Sequence, residues 1–258
     1  MFQSALFEGE VVLVTGGGTG IGLACARRFA EAGAKLVIAS RSMDHLGPAR
    51  DELEAAGAEV LARTCDIREG EEVAALLEAI SEHHGRLDVL VNNAGGQFPS
   101  PAISMKPKGF EAVIRNNLIG TFLITQAAAQ RFFMPQRSGR IVSIIANIAR
   151  GFPGMAHTGA ARAGVDNLTK TLAVEWVSDG IRVNAVAPGI ILSSGMANYP
   201  PALIDEALKH IPMKRAGSED DVAHLVVFLA SSAAGYITGE TVYVDGGAKL
   251  WGENWPIH

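Results

Sequence analysis

Thr158, Arg162, Asp166 and Lys170 follow one another at intervals of four. On a helix this spacing sets Thr158, Arg162 and Asp166 along one side over two turns, with Lys170 one turn further. The set suits one kind of proton chemistry and excludes another. An aliphatic hydroxyl such as that of Thr158 is far too weak an acid to protonate an alkoxide near neutral pH, and an arginine stays charged and relays no proton. Arg162 can still donate hydrogen bonds. A carboxylate such as Asp166 can orient a water and complete protonation at a carbon atom, and donors nearby can stabilise a developing oxyanion. The plainer reading is an exposed ladder of charge pairs, each worth a few tenths of a kcal/mol. His157 adjoins the set and Tyr199 lies further along the chain. Either could supply a proton, or serve as a packed histidine and a hydrophobic clasp.

Such residues need a scaffold, and the chain spells one out. Short apolar runs occur as VVLVT (from Val11), KLVIAS (from Lys35), AEVLART (from Ala58), LDVLVNN (from Leu87), GRIVSII (from Gly139), IRVNAVAP (from Ile181) and TVYVDGG (from Thr241). They are β-branched and nearly continuously apolar, as strands covered on both faces are. Helical patterns lie between them; EEVAALLEAISEHH puts Val73, Leu76, Leu77 and Ile80 on one stripe. The alternation predicts an α/β fold, a doubly wound parallel sheet with helices on both faces. With no linker and no low-complexity segment, residues 1–258 read as one domain. The irregular stretch at about 190–215 follows a strand's carboxyl end, where a substrate lid would sit.

The first strand runs into VVLVTGGGTGIG, where Gly16, Gly20 and Gly22 punctuate the turn into a helix. Glycines there let backbone N–H groups approach a pyrophosphate resting on the helix N-terminus, which makes Gly16, Thr19, Gly20 and Ile21 candidate contacts. The second strand ends in Ser40 and Arg41 rather than the acidic residue that would hold a ribose 2′-hydroxyl. Arg41 can instead pair with a 2′-phosphate, so the expected cofactor is NADP(H). After the third strand, Asp66 and Ile67 are candidates for the adenine. Asp66 could accept from the amino group, cap the helix beginning near Glu69, or do both.

Composition narrows the partners. The chain has 258 residues, a net charge of −5 and 48% hydrophobic residues, so no basic face invites nucleic acid. No apolar run is long enough to span a membrane. The opening MFQSALFEGE lacks the features of a signal peptide. Cys25 and Cys65 read as buried free thiols. The expectation is a cytoplasmic protein acting on a small molecule.

With these residues in view, TGGGTGIG, NNAG (Asn92 to Gly95), NNLIGTF (from Asn116), VNAVAPG (Val183 to Gly189) and ITGETVYVDGG resemble the short-chain dehydrogenase/reductase family, from Val11 to Gly247. The resemblance implies a seven-stranded Rossmann sheet, a nicotinamide cofactor and a homotetramer. It puts Asn93, Ala94 and Gly95 at the adenine ribose, and Pro188, Gly189 and Ile191 at the nicotinamide end. Ser193 stands in for the usual threonine near the carboxamide. The family's tyrosine falls on Thr158, its lysine on Arg162 and its serine on about Ala146, while its asparagine is kept as Asn117. Arg162 would hold the nicotinamide ribose.

NNAGGQFPSPA, HTGAARAGV, NLTKTLAVEW, IPMKR and the terminal NWP look like the trans-2-enoyl-CoA reductases of peroxisomes and, more distantly, the 2,4-dienoyl-CoA reductases. The position of Asp166 carries a tyrosine in the first group and an aspartate in the peroxisomal members of the second. The implied activity is NADPH-dependent reduction of an enoyl- or dienoyl-CoA, with Asn117, Asp166 and Arg162 as catalytic candidates. Two alternatives stand beside it: a carbonyl reductase with a substitute acid such as His157, and a non-catalytic dinucleotide-binding protein.

Overall fold

The computed structural model describes residues 5–193, 206 and 208–250. Strands and helices alternate from the start: β1 (Val11–Thr15), α1 (Gly20–Glu31), β2 (Lys35–Ser40), α2 (Met43–Ala55), β3 (Val60–Thr64), α3 (Gly70–His84) and β4 (Val89–Asn92). A long helical stretch follows as α4 (Pro107–Ile114), a π-helical turn (Arg115–Ile119), α5 (Gly120–Ala128), a second π turn (Ala129–Phe133) and α6 (Met134–Gln136). Then come β5 (Gly139–Ile144), α7 (Ala156–Trp176), β6 (Ile181–Pro188), β7 (Ile191–Leu192), β8 (Gly217–Ser218), α8 (Glu219–Ala230) and β9 (Thr241–Val244).

Seven strands form one sheet in the order β3-β2-β1-β4-β5-β6-β9, and every neighbouring pair is parallel. This is a Rossmann-type α/β sheet. All five residues of β1 are buried, because helices cover both faces. On one face Cys25, Phe29, Leu46, Leu53 and Val226 pack together. On the other, Leu76, Leu77, Ile80, Phe133, Leu172 and Trp176 do so. The stripe predicted for α3 is the buried one. Both cysteines are buried and free. Strand order reverses between β1 and β4, so the loops after these two strands flank a crevice at the carboxyl edge of the sheet. A two-stranded ladder of β7 and β8 pairs Ile191 with Gly217, which joins the two flanks of the stretch expected to be a lid. Among the described residues no helix is long and apolar enough to cross a membrane.

Candidate active site

The turn after β1 is tightened from within. The Thr15 hydroxyl donates to the Val91 carbonyl at 3.2 Å and accepts from the amides of Asn93 and Ala94 at 3.0 Å each. The Asn93 side-chain amide donates to the carbonyls of Thr15 and Gly16 at 3.0 and 3.1 Å. Asn93 therefore clasps the loop with its side chain. Gly16 and Gly20 have φ of 64° and 57°, a region that favours glycine. A β-carbon on Gly22 would lie 2.1 Å from the Gly16 carbonyl oxygen. At the head of α1, Thr19 is the N-cap and makes no side-chain cap, and no acidic residue occupies the first turn. The leading amides of α1 are thus left for an anion.

Across the crevice, Gly95 gathers two candidates. A β-carbon there would lie 2.6 Å from Arg162 Nη2 and 2.7 Å from Asn117 Oδ1. Asn117 is fully buried in the first π turn. Its Nδ2 donates to the Gly96 carbonyl at 2.8 Å and its Oδ1 accepts from the Gly96 amide at 3.0 Å. The asparagine named from sequence as catalytic thus acts on the protein's own backbone, fixing the loop at Gly96 beside Arg162. The interruption of an α-helix by a π turn at this residue is a common device at functional sites. Arg162 makes no hydrogen bond or ion pair among the described residues, and burial brings its pKa down to about 10. A desolvated guanidinium without a partner is costly, and it invites a ligand rich in hydroxyl oxygens.

Thr158, one turn before Arg162, is buried and pairs with its neighbour. Its amide donates to His157 Nδ1 at 2.7 Å, and its hydroxyl lies 3.1 Å from the same nitrogen. Since Nδ1 accepts, the neutral ring carries its proton on Nε2. Nε2 is buried without a partner. Phe98, on the loop that leaves Gly95 and Gly96, meets the His157 ring edge to face at 4.6 Å. Nothing in the sequence spacing signalled this contact of Phe98 with His157.

Asp166 is not brought to this group. Its Oδ1 accepts from the Thr241 hydroxyl at 2.6 Å and its Oδ2 pairs with Lys170 Nζ at 2.5 Å. Burial pushes its pKa up, but the hydrogen bonds from Lys170 and Thr241 outweigh this and hold it below the ordinary value. Arg162 takes no part in the pair, so the ladder expected from spacing reduces to one ion pair plus a tie from α7 to the first residue of β9.

At the other end of the crevice, Ser40 donates to the Ser42 carbonyl at 3.0 Å, and exposed Arg41 has no hydrogen bond or ion pair among the described residues. Asp66 does not cap α3. The N-cap is Glu69 and uses no side-chain bond, while Asp66 folds back on Arg68, accepting from its amide at 3.1 Å and binding its guanidinium. The Arg68 hydrogen bond holds the Asp66 pKa low despite burial. Ile67 is buried against Gly120 at the head of α5, so its side chain serves the core.

Pro188 ends β6, and its carbonyl accepts from the Asn147 amide at 2.9 Å. The Gly189 amide donates to the Val244 carbonyl at 2.9 Å. The Ile191 side chain is buried against Gly217, and Ser193 is half-buried. Beside half-buried Ala146, Asn147 donates to Asp245 Oδ2 at 2.9 Å and ties the loops after β5 and β9 together. Sequence reasoning missed Asn147 and Thr15. Each stands at a strand's carboxyl end, the one signal that could have marked it. Tyr199 and half of the expected lid, residues 194–205 and 207, lie outside the described residues.

A family profile described as Enoyl-(Acyl carrier protein) reductase matches residues 16–249. The chain is 37% identical over 248 residues to a protein of Bacillus subtilis (strain 168) named "Probable 2,4-dienoyl-CoA reductase", covering 94% of this chain and 98% of that one. It is 36% identical over 244 residues to a 3-oxoacyl-(acyl-carrier-protein) reductase of Thermotoga maritima, covering 94% and 99%. A solved structure, the citronellol catabolism dehydrogenase of Pseudomonas aeruginosa PAO1, superposes with a TM-score of 0.88 at 43% identity, covering 96% of this chain and 98% of that one.

Proposed function

Because the chain belongs to the short-chain dehydrogenase/reductase family, and is an oxidoreductase of that type, we propose that it reduces the carbon–carbon double bond of an α,β-unsaturated acyl thioester, a trans-2-enoyl-CoA or 2,4-dienoyl-CoA, using NADPH. The observation that carries this reading is at the family's tyrosine position, where a buried threonine spends its hydroxyl next to His157. No phenol stands there to protonate an alkoxide. The relatedness to a protein named as a dienoyl-CoA reductase supports the same substrate class.

The crevice suits a dinucleotide by two features: the turn that a β-carbon at Gly22 would fill, and the unpartnered guanidinium of Arg162. Gly16, Thr19, Gly20 and Ile21 would hold the pyrophosphate, with Ser40 and Arg41 at a 2′-phosphate. Asp66 and the backbone of Ile67 would face the adenine, and Asn93, Ala94 and Gly95 its ribose. Arg162 would donate to the nicotinamide ribose, with Pro188, Gly189, Ile191 and Ser193 at the ring. The bound cofactor would supply the hydride that reaches the substrate.

The protein's part is to hold charge and deliver a proton. Negative charge develops on the thioester oxygen as an enolate, and Arg162 places a full positive charge in a desolvated setting next to it. Asn117 acts through Gly96 and is a positioning residue. His157 Nε2–H is the donor beside Thr158, and an acyl chain displacing Phe98 would uncover it. Asp166, engaged by Thr241 and Lys170, holds α7 against β9. The protein assembles as a homotetramer, which light scattering on a sizing column tests.

The test compares NADPH oxidation with a short trans-2-enoyl-CoA, a 2,4-dienoyl-CoA and a 3-oxoacyl-CoA. Turnover of one or both unsaturated thioesters, with negligible turnover of the ketone, is expected. A second reading, ketone reduction with His157 as acid, has one observation in its favour: the proton carried on Nε2. Fast reduction of the 3-oxoacyl thioester, abolished by His157→Gln, would establish that reading instead.

A further inference from the structure

We propose that His83, His84 and Glu59 form a binding site for a divalent transition-metal ion of the zinc type, at the edge of the sheet opposite the crevice. Helix α3 ends at His84, and Gly85 turns the chain away with φ 70°. Glu59 immediately precedes β3, and Lys35 opens β2. These are the amino-terminal ends of strands whose carboxyl ends face the nucleotide loop, so the cluster is separate from the site described above.

The first argument is an unsatisfied side chain. His84 has 1% of its side chain exposed, and neither ring nitrogen has a hydrogen-bond partner. Buried polar atoms are rarely left so.

The second argument is geometry. Glu59 Oε1 lies 3.5 Å from His84 Nδ1 and 3.9 Å from His83 Nε2, and one ligand atom from each residue falls within 4.8 Å of the others. Ligand atoms around a tetrahedral zinc with bonds of about 2.0–2.1 Å stand about 3.3 Å apart. Small rotations of His83 and Glu59, both about half exposed at 51% and 48%, close the difference. Two imidazoles and one carboxylate favour zinc and its neighbours over magnesium or calcium, with water completing the shell. Lys35 Nζ lies 3.0 Å from Glu59 Oε2 and donates to Oε1 at 3.4 Å. It keeps Glu59 in place and opposes the cation electrostatically.

The experiment uses the full-length protein, treated with chelator and dialysed, titrated with zinc chloride by calorimetry and by thermal unfolding, with magnesium chloride as control. One equivalent of zinc should bind and raise Tm, since a ligand that binds only the folded state stabilises it. His83→Ala and Glu59→Gln should each weaken zinc by about tenfold or more, and Lys35→Met should tighten it. X-ray absorption of the zinc-loaded protein should show nitrogen and oxygen ligands only. Absence of zinc binding overturns the proposal. So does binding that survives both His83→Ala and Glu59→Gln, or a sulfur ligand, which would move the ion to Cys25 or Cys65.

Discussion

The Thr241 hydroxyl donates to Asp166 Oδ1 at 2.6 Å, across 75 residues of sequence, and this bond turns the carboxylate toward β9. Asp166→Asn keeps an acceptor for Thr241 and loses the ion pair with Lys170. Turnover should stay within about twofold, and stability should fall by no more than about 1 kcal/mol, the range of exposed pairs. Because the folded-state pKa is depressed, Asp166 stabilises the fold above its unfolded pKa, and that contribution disappears as pH falls through the folded one. The Tm difference between the two proteins should therefore shrink in acid. A fall in kcat of roughly 10²- to 10⁴-fold would instead restore Asp166 as the acid–base group.

Arg162 is charged at neutral pH although burial lowers its pKa to about 10. The cost of that buried charge is complete below the folded pKa and fades only as pH rises above about 10. Arg162→Met should raise the Tm of the cofactor-free protein at neutral pH, by on the order of 1–3 kcal/mol in stability, while abolishing turnover. Arg162→Lys should keep measurable activity. Lower stability of the Met variant without cofactor would show that the guanidinium has partners after all.

Arg41 stands exposed at the end of β2 with no acidic residue in its place. Arg41→Ala should weaken NADPH by about 1.5–3 kcal/mol and leave NADH almost unchanged. Fluorescence titration with both cofactors decides it. Equal affinity for NADH and NADPH in the unmutated protein defeats the assignment.

The Gly22 position has no room for a methyl group, with the Gly16 oxygen 2.1 Å and Asn93 Nδ2 2.5 Å from where it would sit. Gly22→Ala should spread the turn and cost most of the cofactor affinity. Circular dichroism should show the fold retained, because the sheet core lies below the loop. Unaltered cofactor binding would mean that the pyrophosphate does not rest there.

Much of the site's frame was legible in the chain. β1 reads as a strand because all five of its residues are apolar or β-branched and all are buried. The glycines after it mark a turn because two of them adopt positive φ. Asn117 and Arg162 could be singled out, but not their meeting at Gly95, since Arg162, 67 positions from Gly95, reaches it only once α7 packs on β6 and the first π turn. An interval of four fixes the side of a helix and says nothing of what faces it. Arg162 and Asp166 share a side of α7, yet one is drawn to the crevice and the other to Thr241.

The sequence by itself determined the alternation of strands and helices, the nucleotide turn and the absence of a phenolic acid at Thr158. These follow from local patterns: apolar runs, glycine placement and residue type. Tertiary structure alone decided how the side chains are used. It turned Asn117 onto Gly96, bound Asp66 to Arg68 rather than to the head of α3, left Arg162 without a partner among the described residues and sealed His157 behind Phe98. Each of these depends on which distant backbone or ring comes within about 3–5 Å, and only the packing of helices on the sheet sets that.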